Sequence, residues 1–312
     1  MDGVIIVDKP AGWTSHDVVN RMRRILQQRS VGHLGTLDPL ATGVLPLVTG
    51  NLTRLAQFYA ASEKTYEGVI RFGFSTDTYD ADGDPVGEAH PVNLNLENLQ
   101  ALAAGFRGII EQVPPPFSAK KIHGVPAYKL ARRQKEIVLK PIQVEIKEFA
   151  ILAVEGSRAT FRARVASGTY MRSVAHDLGR RLGCGAHLES LRRTAVAEFD
   201  IGQAHTLEQI EAAAAGQGQA LLDALFIHPR QILPQFPSVT ADDATAARIR
   251  TGRPVNLPEL SRTRQVKVFY GQRELIAIAT RVAGTLFHPG IVFVGDSAAA
   301  HASPKASAGN RS

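Results

Sequence analysis

Cysteine is almost absent from this 312-residue chain, in which Cys184 is the only one. A single thiol excludes an internal disulfide and a zinc site built from several thiolates. Long hydrophobic runs are missing too, since no stretch approaches the roughly 20 apolar residues of a membrane span. The apolar run at residues 4–7 is too short for a signal peptide. We therefore expect a cytoplasmic protein without a membrane-spanning segment.

The usual motifs of metal and cofactor chemistry are also missing. The ten histidines are scattered, and there is no HExxH motif, Walker loop, dinucleotide fingerprint or Gly-x-Ser-x-Gly elbow. The acidic run at residues 77–84 fails the EF-hand pattern, because counting from Asp80 puts Pro85 and Pro91 where Gly and Glu are needed. Asp82-Gly83 fits a hairpin turn better. We expect neither a metal nor a cofactor.

The charge of the chain is strongly basic. Its net charge is +7 and its pI about 9.7. The hydrophobic share of 44% and the charged share of 21% are ordinary for a soluble globular protein. The basic excess favours an anionic partner, with nucleic acid first and a membrane surface second. A basic protein that is merely soluble is the alternative.

Residues 32–46 form the most unusual stretch, with three glycines, two prolines and a single acid, Asp38. Glycine reaches backbone angles that other residues avoid and proline fixes φ, so this composition predicts a shaped loop rather than a helix or a strand interior. Asp-Pro is a common turn pair, and Asp38 is therefore either a turn former or a chemical group. An ionised carboxylate can act as a nucleophile or base, and a nearby Arg keeps it ionised. Composition alone leaves both readings open.

A basic segment follows the proline run at residues 114–116. It interleaves Phe117 and Tyr128 with the basic residues Lys120, Lys121, His123, Lys129, Arg132, Arg133 and Lys135. Cations mixed with aromatics suit an arm, at about residues 114–140, that follows a phosphate backbone. An ordinary charged loop and helix is the alternative.

Periodicity and capping signals predict the elements around these stretches. We expect helices at residues 15–28, 52–61, 96–106, 170–182 and 207–225, and strands at 4–7, 67–74, 142–154, 158–167, 266–270, 275–279 and 291–294. A proline-rich boundary at residues 229–237 separates a large domain (1–230) from a small β-domain (231–296). The tail at 297–312 lacks periodicity, so we expect it to be disordered.

Five motifs stand in order within residues 3–225. They are residues 7–15 (Val-Asp-Lys-Pro-Ala-Gly-Trp-Thr-Ser), 32–46, 64–66 (Lys-Thr-Tyr), 167–173 (Ser-Gly-Thr-Tyr-Met-Arg-Ser) and 183–193 (from Gly-Cys-Gly-Ala-His to Leu-Arg-Arg). Their order and spacing resemble those of the bacterial tRNA pseudouridine-55 synthases. Five motifs in register are highly specific, and the resemblance favours a catalytic Asp38 over a turn former.

The resemblance implies a role for each matching residue. Asp38 matches the family's aspartate nucleophile, Arg172 the arginine that ion-pairs with it, and Tyr66 the tyrosine that stacks on the target base. The substrate-binding positions are implied to be His33, which helps to hold the RNA loop open, together with Lys64, Tyr170 and Leu191. The phosphate-binding positions expected in the arm are Lys120, Lys121, Arg132 and Arg133. Leu34 departs from the family, which more often has Thr there, and this puts some loop hydrogen bonding in doubt.

The resemblance also implies a fold and an activity. We expect an α+β pseudouridine synthase fold, with a mixed, largely antiparallel sheet flanked by helices and a small C-terminal PUA-like β-barrel. The implied reaction converts uridine 55 of the tRNA T loop to pseudouridine after flipping it out, without a cofactor. The implied partner is the tRNA T stem-loop, with no membrane, obligatory protein or guide RNA, and the chain is expected to be a monomer. Two alternatives are an RNA-binding or tRNA-folding protein without catalysis and a guide-dependent pseudouridine synthase.

Overall fold

A computed structural model describes residues 1–117, 121–122, 125–126, 139–216, 219–259 and 262–293. Within these ranges no helix combines the length and apolarity needed to cross a membrane. Lys120, Arg132, Arg133 and the tail at 297–312 lie outside the described residues, so the statements about them stay predictions. Lys121 begins a two-residue strand.

The strands are numbered in chain order. They are β1 (Gly3–Lys9), β2 (Val31–His33), β3 (Thr42–Thr49), β4 (Lys64–Phe72), β5 (Ser75–Thr76), β6 (Pro85–Val86), β7 (Gly108–Gln112), β8 (Lys121–Ile122), β9 (Val125–Pro126), β10 (Ile142–Glu155), β11 (Arg158–Val165), β12 (Ala186–Val196), β13 (Phe199–Asp200), β14 (Ser238–Ala241), β15 (Val255–Asn256), β16 (Gln265–Tyr270), β17 (Glu274–Ala283) and β18 (Leu286–Val292). The α-helices are α1 (Ser15–Ile25), α2 (Ala56–Tyr59), α3 (Leu96–Ala104), α4 (Met171–Leu182), α5 (Leu207–Ala215), α6 (Gln219–Asp223) and α7 (Asp243–Arg250).

A nine-stranded sheet forms the frame of the larger part of the molecule. Its order is β1-β3-β12-β4-β11-β10-β7, with β2 paired to β3 and β13 to β12. Among these described strands, β3 and β12 are the parallel pair, and the other neighbours are antiparallel. The expectation of a mixed, largely antiparallel sheet flanked by helices is confirmed.

Side chains of β1 alternate between two of the three core clusters. Ile5 and Val7 join side chains of α1, α3 and α4 in one cluster. Val4 and Ile6 lie in a second cluster, which also contains Phe269 and Ile278 of the C-terminal sheet. Successive side chains of a strand point to opposite faces, so β1 is buried on both sides and is apolar throughout its centre. This strand therefore joins the two parts of the molecule.

The C-terminal part is a five-stranded sheet with the order β14-β16-β17-β18-β15. The three strands predicted there are present, and all three are longer than predicted. The strand predicted at 291–294 begins earlier, at Leu286, and ends at Val292. Helix α7 was not predicted, because it buries only Ala246 and Ile249 and so carries little apolar periodicity. Its start is set locally, since the Asp242 side chain accepts a hydrogen bond from the Thr245 N–H.

Several predicted helices end earlier than their sequences suggested. Helix α1 is capped by Thr14 and ends at Ile25, and Gln27 takes a positive φ of 49°. The helix predicted at 207–225 ends at Ala215, and a separate short helix follows at Gln219–Asp223. The helix predicted at 52–61 is a 3-10 helix, Gly50–Leu55, that continues into α2. The helix predicted at 96–106 ends at Ala104, and its first residue, Leu96, is exposed.

The glycine- and proline-rich stretch at 32–46 is a loop only in its centre. Gly32 and His33 belong to β2, and residues from Thr42 to Pro46 belong to β3. The prediction of a loop throughout was therefore wrong at both ends. Pro46 O accepts a hydrogen bond from Leu34 N at 2.9 Å, which joins the start of the loop to β3. The two strands hold residues 34–41 as a short loop between rigid ends.

Candidate active site

The loop at residues 34–41 is fastened to the start of α1. Ser15 is buried, and its hydroxyl oxygen accepts from Leu37 N at 2.8 Å and donates to Leu37 O at 3.1 Å. Pro39 O accepts from Gly12 N at 2.9 Å. Asp38 lies between these two anchored residues, so its backbone is fixed from both sides.

Lys9 lies beneath the same loop as a fully buried cation. Its ammonium donates to Pro10 O at 2.8 Å, Trp13 O at 2.7 Å and Pro39 O at 3.2 Å. Burial lowers the pKa of Lys9 to about 8, and the nearby Asp38 carboxylate opposes this change. The three carbonyls satisfy the three donors of the ammonium group.

Arg193 is a second fully buried cation under the loop. Its Nε donates to Val44 O at 2.8 Å, and its two terminal nitrogens donate to Thr36 O at 3.0 Å and Gly35 O at 3.1 Å. Strand β3 can approach Arg193 because Gly43 has no side chain: a Cβ there would lie 2.3 Å from Arg193 O, and φ is +99°. The guanidinium thus joins both ends of the loop to β12.

Asp38 forms an ion pair with Arg172, the second residue of α4. Arg172 Nε lies 2.9 Å from Asp38 Oδ2, and the side chains are 6% and 38% exposed respectively. Among the described residues, none makes a hydrogen bond to Asp38 Oδ1. The arginine is therefore buried and fixed, while the Asp38 side chain is partly exposed.

Arg172 has three further partners, which come from two other segments. It donates to Thr78 O at 3.2 Å and to Phe117 O at 3.0 Å. Its Nη1 also lies 3.5 Å from Asp80 Oδ2, and the Asp80 side chain is 8% exposed. Thr78 Oγ1 donates to Asp80 Oδ1 at 2.5 Å. Burial raises the pKa of Asp80, and this hydroxyl and Arg172 oppose the rise.

Asp80 was not recognised as a site residue from the sequence, where it stands in an acidic run. This run connects the paired strands β5 and β6, so the predicted hairpin is present. The connection is longer than the predicted two-residue turn because Asp77 N pairs with Asp84 O at 3.0 Å and the residues between form a loop. Among the described residues, no group of three or more His, Cys, Asp and Glu side chains could hold a metal ion.

A cavity of about 390 Å³ opens beside the Asp38–Arg172 pair. The residues that were predicted for catalysis and substrate binding within the larger domain all line it: His33, Asp38, Lys64, Tyr66, Tyr170, Arg172 and Leu191. Tyr59 of α2 is part of the same wall. Elements that lie far apart in the sequence thus meet around one cavity.

Three polar wall residues have pKa values changed by their surroundings. Burial raises the pKa of Tyr66, which stays a neutral phenol at neutral pH. Burial, aided by Arg193, lowers the pKa of His33, and its Nδ1 accepts from Gly35 N at 3.3 Å. Burial and then Arg193 lower the pKa of Lys64 to about 8, and Lys64 Nζ donates to Ser62 O at 2.8 Å.

The wall of the cavity is also joined to the C-terminal part. Glu198 Oε1 accepts from the Tyr59 hydroxyl at 2.6 Å and from Leu233 N at 2.8 Å. Buried Lys267 of β16 donates to Arg230 O at 2.9 Å and Ile232 O at 2.6 Å. These contacts fix the segment that leads into the C-terminal sheet.

Solved structures share the fold of this chain. The chain aligns with a solved H/ACA RNP bound to a substrate RNA containing 2'-deoxyuridine, with a TM-score of 0.69 and 23% identity, over 94% of this chain and 85% of that one. A solved Cbf5–Nop10–Gar1 complex aligns with a TM-score of 0.67 and 24% identity, over 91% of this chain and 79% of that one. These likenesses show that the chain shares the fold of those solved proteins.

Family comparisons then identify the particular group. The model of the TruB family pseudouridylate synthase N-terminal domain matches residues 23–171, and that of the tRNA pseudouridylate synthase B C-terminal domain matches residues 172–229. The tRNA pseudouridine synthase B of Solibacter usitatus is 52% identical over 296 residues, which are 94% of this chain and 100% of that protein. Its counterpart in Aquifex aeolicus is 37% identical over 92% of this chain and 98% of that protein. The chain belongs to the TruB family, as its motifs had suggested.

Proposed function

We propose that this chain is a tRNA pseudouridine synthase that converts uridine 55 of the T loop to pseudouridine, with Asp38 as the essential carboxylate. Family membership and the names of its relatives support the substrate and the reaction. The observation that carries the assignment of Asp38 is its 2.9 Å ion pair with Arg172 at the wall of a cavity of about 390 Å³.

The substrate uridine has to leave the folded T loop before it reaches Asp38. Flipping a base costs a few kcal/mol in unstacking and unpairing. Stacking on an aromatic ring returns about 1–3 kcal/mol per base, and Tyr66 is the aromatic side chain that we assign to this contact. The rigid strand β4 supports this role, because it fixes Tyr66 between its partners Ala163 and Arg193.

The isomerisation exchanges one bond to the ribose for another. The C1′–N1 bond breaks, a C1′–C5 bond forms, C5 loses its proton and N1 gains one. Substrate and product contain the same atoms, so the balance requires no oxidant, reductant or group donor. Asp38 can begin this exchange by attacking the ribose, by attacking the base or by removing a ribose proton. Each route starts from an ionised carboxylate, and Arg172 stabilises that form.

The remaining site residues are assigned to binding. His33 holds the RNA loop with the target base outside its stack, Tyr170 and Leu191 enclose the uracil, and Lys64 attracts the backbone phosphate next to it. The basic arm contributes further phosphate contacts through Lys120, Lys121, Arg132 and Arg133. Such contacts make binding depend strongly on salt, since each displaces condensed counterions.

We assign the C-terminal sheet to a PUA-like RNA-binding module. Its five strands and the helix α7 support this assignment. We further propose that the chain acts as a monomer and without guide RNA or a protein partner. Relatives that share 37–52% identity over nearly all of the chain carry the name tRNA pseudouridine synthase B, whereas the solved complexes with partners share 23–24%.

The decisive experiment incubates the purified chain alone with an unmodified, transcribed tRNA and then maps pseudouridine. We expect stoichiometric pseudouridine at position 55 and none in a tRNA whose uridine 55 is replaced by cytidine. Tight binding without any modification would support a non-catalytic RNA-binding protein instead. A requirement for added guide RNA or protein would support the guide-dependent alternative.

A further inference from the structure

The Gln112 side chain makes two hydrogen bonds to the backbone of one cavity residue. Its Oε1 accepts from Tyr170 N at 2.8 Å, and its Nε2 donates to Tyr170 O at 3.1 Å. Gln112 is the last residue of β7 and is 1% exposed, so water does not compete for these bonds. One amide therefore satisfies both backbone groups of Tyr170.

The geometry allows one orientation of this amide. Tyr170 N is a donor and must meet the oxygen, and Tyr170 O is an acceptor and must meet the nitrogen. The side-chain amide thus forms the same pair of hydrogen bonds, one accepted and one donated, that a residue of a neighbouring strand forms in an antiparallel sheet. It holds Tyr170 in an extended conformation, with φ −100° and ψ 110°.

Tyr170 is also the N-cap residue of α4. Its side chain makes no capping hydrogen bond to the helix. The N-cap residue ordinarily sets where a helix begins and in which direction its first turn points. The position of the α4 N-terminus is therefore set from outside the helix, and the Gln112 amide is one of the groups that set it.

Two more bonds join the same two segments. Ser173 Oγ donates to Val113 O at 2.7 Å, and Arg172 donates to Phe117 O at 3.0 Å. The segment from Gln112 to Phe117 is therefore bonded to the first turn of α4 at three successive places. Arg172 lies in the middle of this contact.

We propose that Gln112 is a positioning residue for the reaction: it fixes the backbone of Tyr170 and, through the first turn of α4, the direction from which Arg172 meets Asp38. This inference rests on the proposed function of the same site. Gln112 does not line the cavity, so it acts through Tyr170 and Arg172 and does not touch the substrate.

The test measures tRNA affinity and single-turnover pseudouridine formation for Gln112→Met, in which the side chain keeps its approximate volume but loses both bonds. We expect the rate to fall about 30-fold, because a displacement of about 1 Å at a catalytic group has effects of this order. We expect the Kd for unmodified tRNA to stay within about threefold of wild type. The matched control is Gln100→Met. Gln100 lies on the exposed side of α3, and this variant loses one side-chain hydrogen bond, to Ile151 O.

A second variant separates positioning from mere folding. An ionised Glu at 112 can accept from Tyr170 N but cannot donate to Tyr170 O, whereas a protonated Glu can do both. Burial raises the pKa of such a carboxyl. We therefore expect the rate of Gln112→Glu, relative to wild type, to rise about tenfold as the pH falls from about 8 to about 5.5. The rate of Gln112→Met relative to wild type should not change over this pH range.

The outcomes are distinct. A wild-type chain that forms no pseudouridine refutes the proposed function, whatever the variants do. An active wild type with Gln112→Met equally fast refutes the positioning role. A Gln112→Glu variant that is slow at every pH, with the same rate relative to wild type throughout, also refutes the positioning role. The loss of rate would then come from a change in side-chain packing or folding and not from the lost hydrogen bond.

Discussion

Asp38 and Arg172 lie 134 positions apart in the chain, yet Arg172 Nε is 2.9 Å from Asp38 Oδ2. The other nitrogens of this guanidinium contact Thr78, Asp80 and Phe117. One buried arginine thus connects the loop of Asp38, the β5–β6 connection, the segment after β7 and the start of α4. Its fork of five donors lets it do this, and a lysine could not.

Replacing Asp38 by Asn keeps the shape of the side chain and removes its charge. We expect Asp38→Asn to form no measurable pseudouridine, because a neutral amide is neither a nucleophile nor a base. Its affinity for unmodified tRNA should stay within a few fold, which a filter-binding titration measures. Residual turnover near the wild-type rate would remove Asp38 from the mechanism.

Asp80→Asn tests the second carboxylate of the site. The variant keeps the hydrogen bond with Thr78 but leaves buried Arg172 with one anionic partner, so its guanidinium is held less firmly toward Asp38. We expect the single-turnover rate to fall about tenfold or more. Asp82→Asn, an exposed change in the same loop, is the control. Equal rates for both variants would show that Asp80 is dispensable.

The pKa of Lys64, lowered to about 8, predicts a change of RNA affinity at alkaline pH. A lysine with a lowered pKa is charged below this value and neutral above it, whereas a free lysine keeps its charge to about pH 10.4. Wild-type affinity for a T stem-loop should therefore weaken between about pH 7 and 9.5. Lys64→Met should bind more weakly at neutral pH and lose this step.

Lys9, whose pKa is also about 8, is present in both proteins and cancels from that comparison. Binding curves for wild type and Lys64→Met that run parallel over the whole pH range would contradict the assignment of Lys64 to a phosphate contact.

The buried Arg193 makes a prediction about stability. Arg193→Lys loses the guanidinium group, whose three nitrogens donate to three carbonyls. At least one buried carbonyl is then left without a hydrogen bond. We expect a loss of about 2–4 kcal/mol in the free energy of unfolding. The adjacent Arg192, which pairs with Asp8 and is 42% exposed, provides a matched control. Arg192→Lys should cost about 1 kcal/mol or less, and thermal unfolding of the two variants compares them directly.

Features set by neighbouring residues were predictable from the sequence. Helix α4 was predicted because Met171, Val174 and Leu178 repeat at helical spacing, and Gly183 ends it with a φ of 76°. The loop of Asp38 was predicted too widely. Its glycines and prolines predicted an irregular backbone throughout. Gly43, however, lies in β3, where the absence of a side chain lets the strand approach Arg193 closely.

Features set by contacts between distant segments were not predictable. Asp80 looks like any acid of a polar turn until the fold places it beside Arg172. Gln112 looks like an ordinary residue at the end of an edge strand, and its partner Tyr170 becomes its neighbour only when β7 and α4 meet. The Asp38–Arg172 pair itself was expected from the family resemblance, since nothing in the spacing of the two residues indicates it.

The contact of Glu198 with Tyr59 and Leu233 limits how freely the two halves of this chain can be recombined. The C-terminal half contributes a main-chain N–H, so the contact depends on the route of the backbone and not on the side chain at 233. A hybrid carrying the C-terminal sheet of a relative keeps the contact if that route is preserved. A chain cut before residue 233 lacks the Leu233 N–H, so Glu198 keeps only the Tyr59 hydroxyl of this pair of partners. A loss at the C-terminal end then changes the surroundings of a residue in the cavity wall.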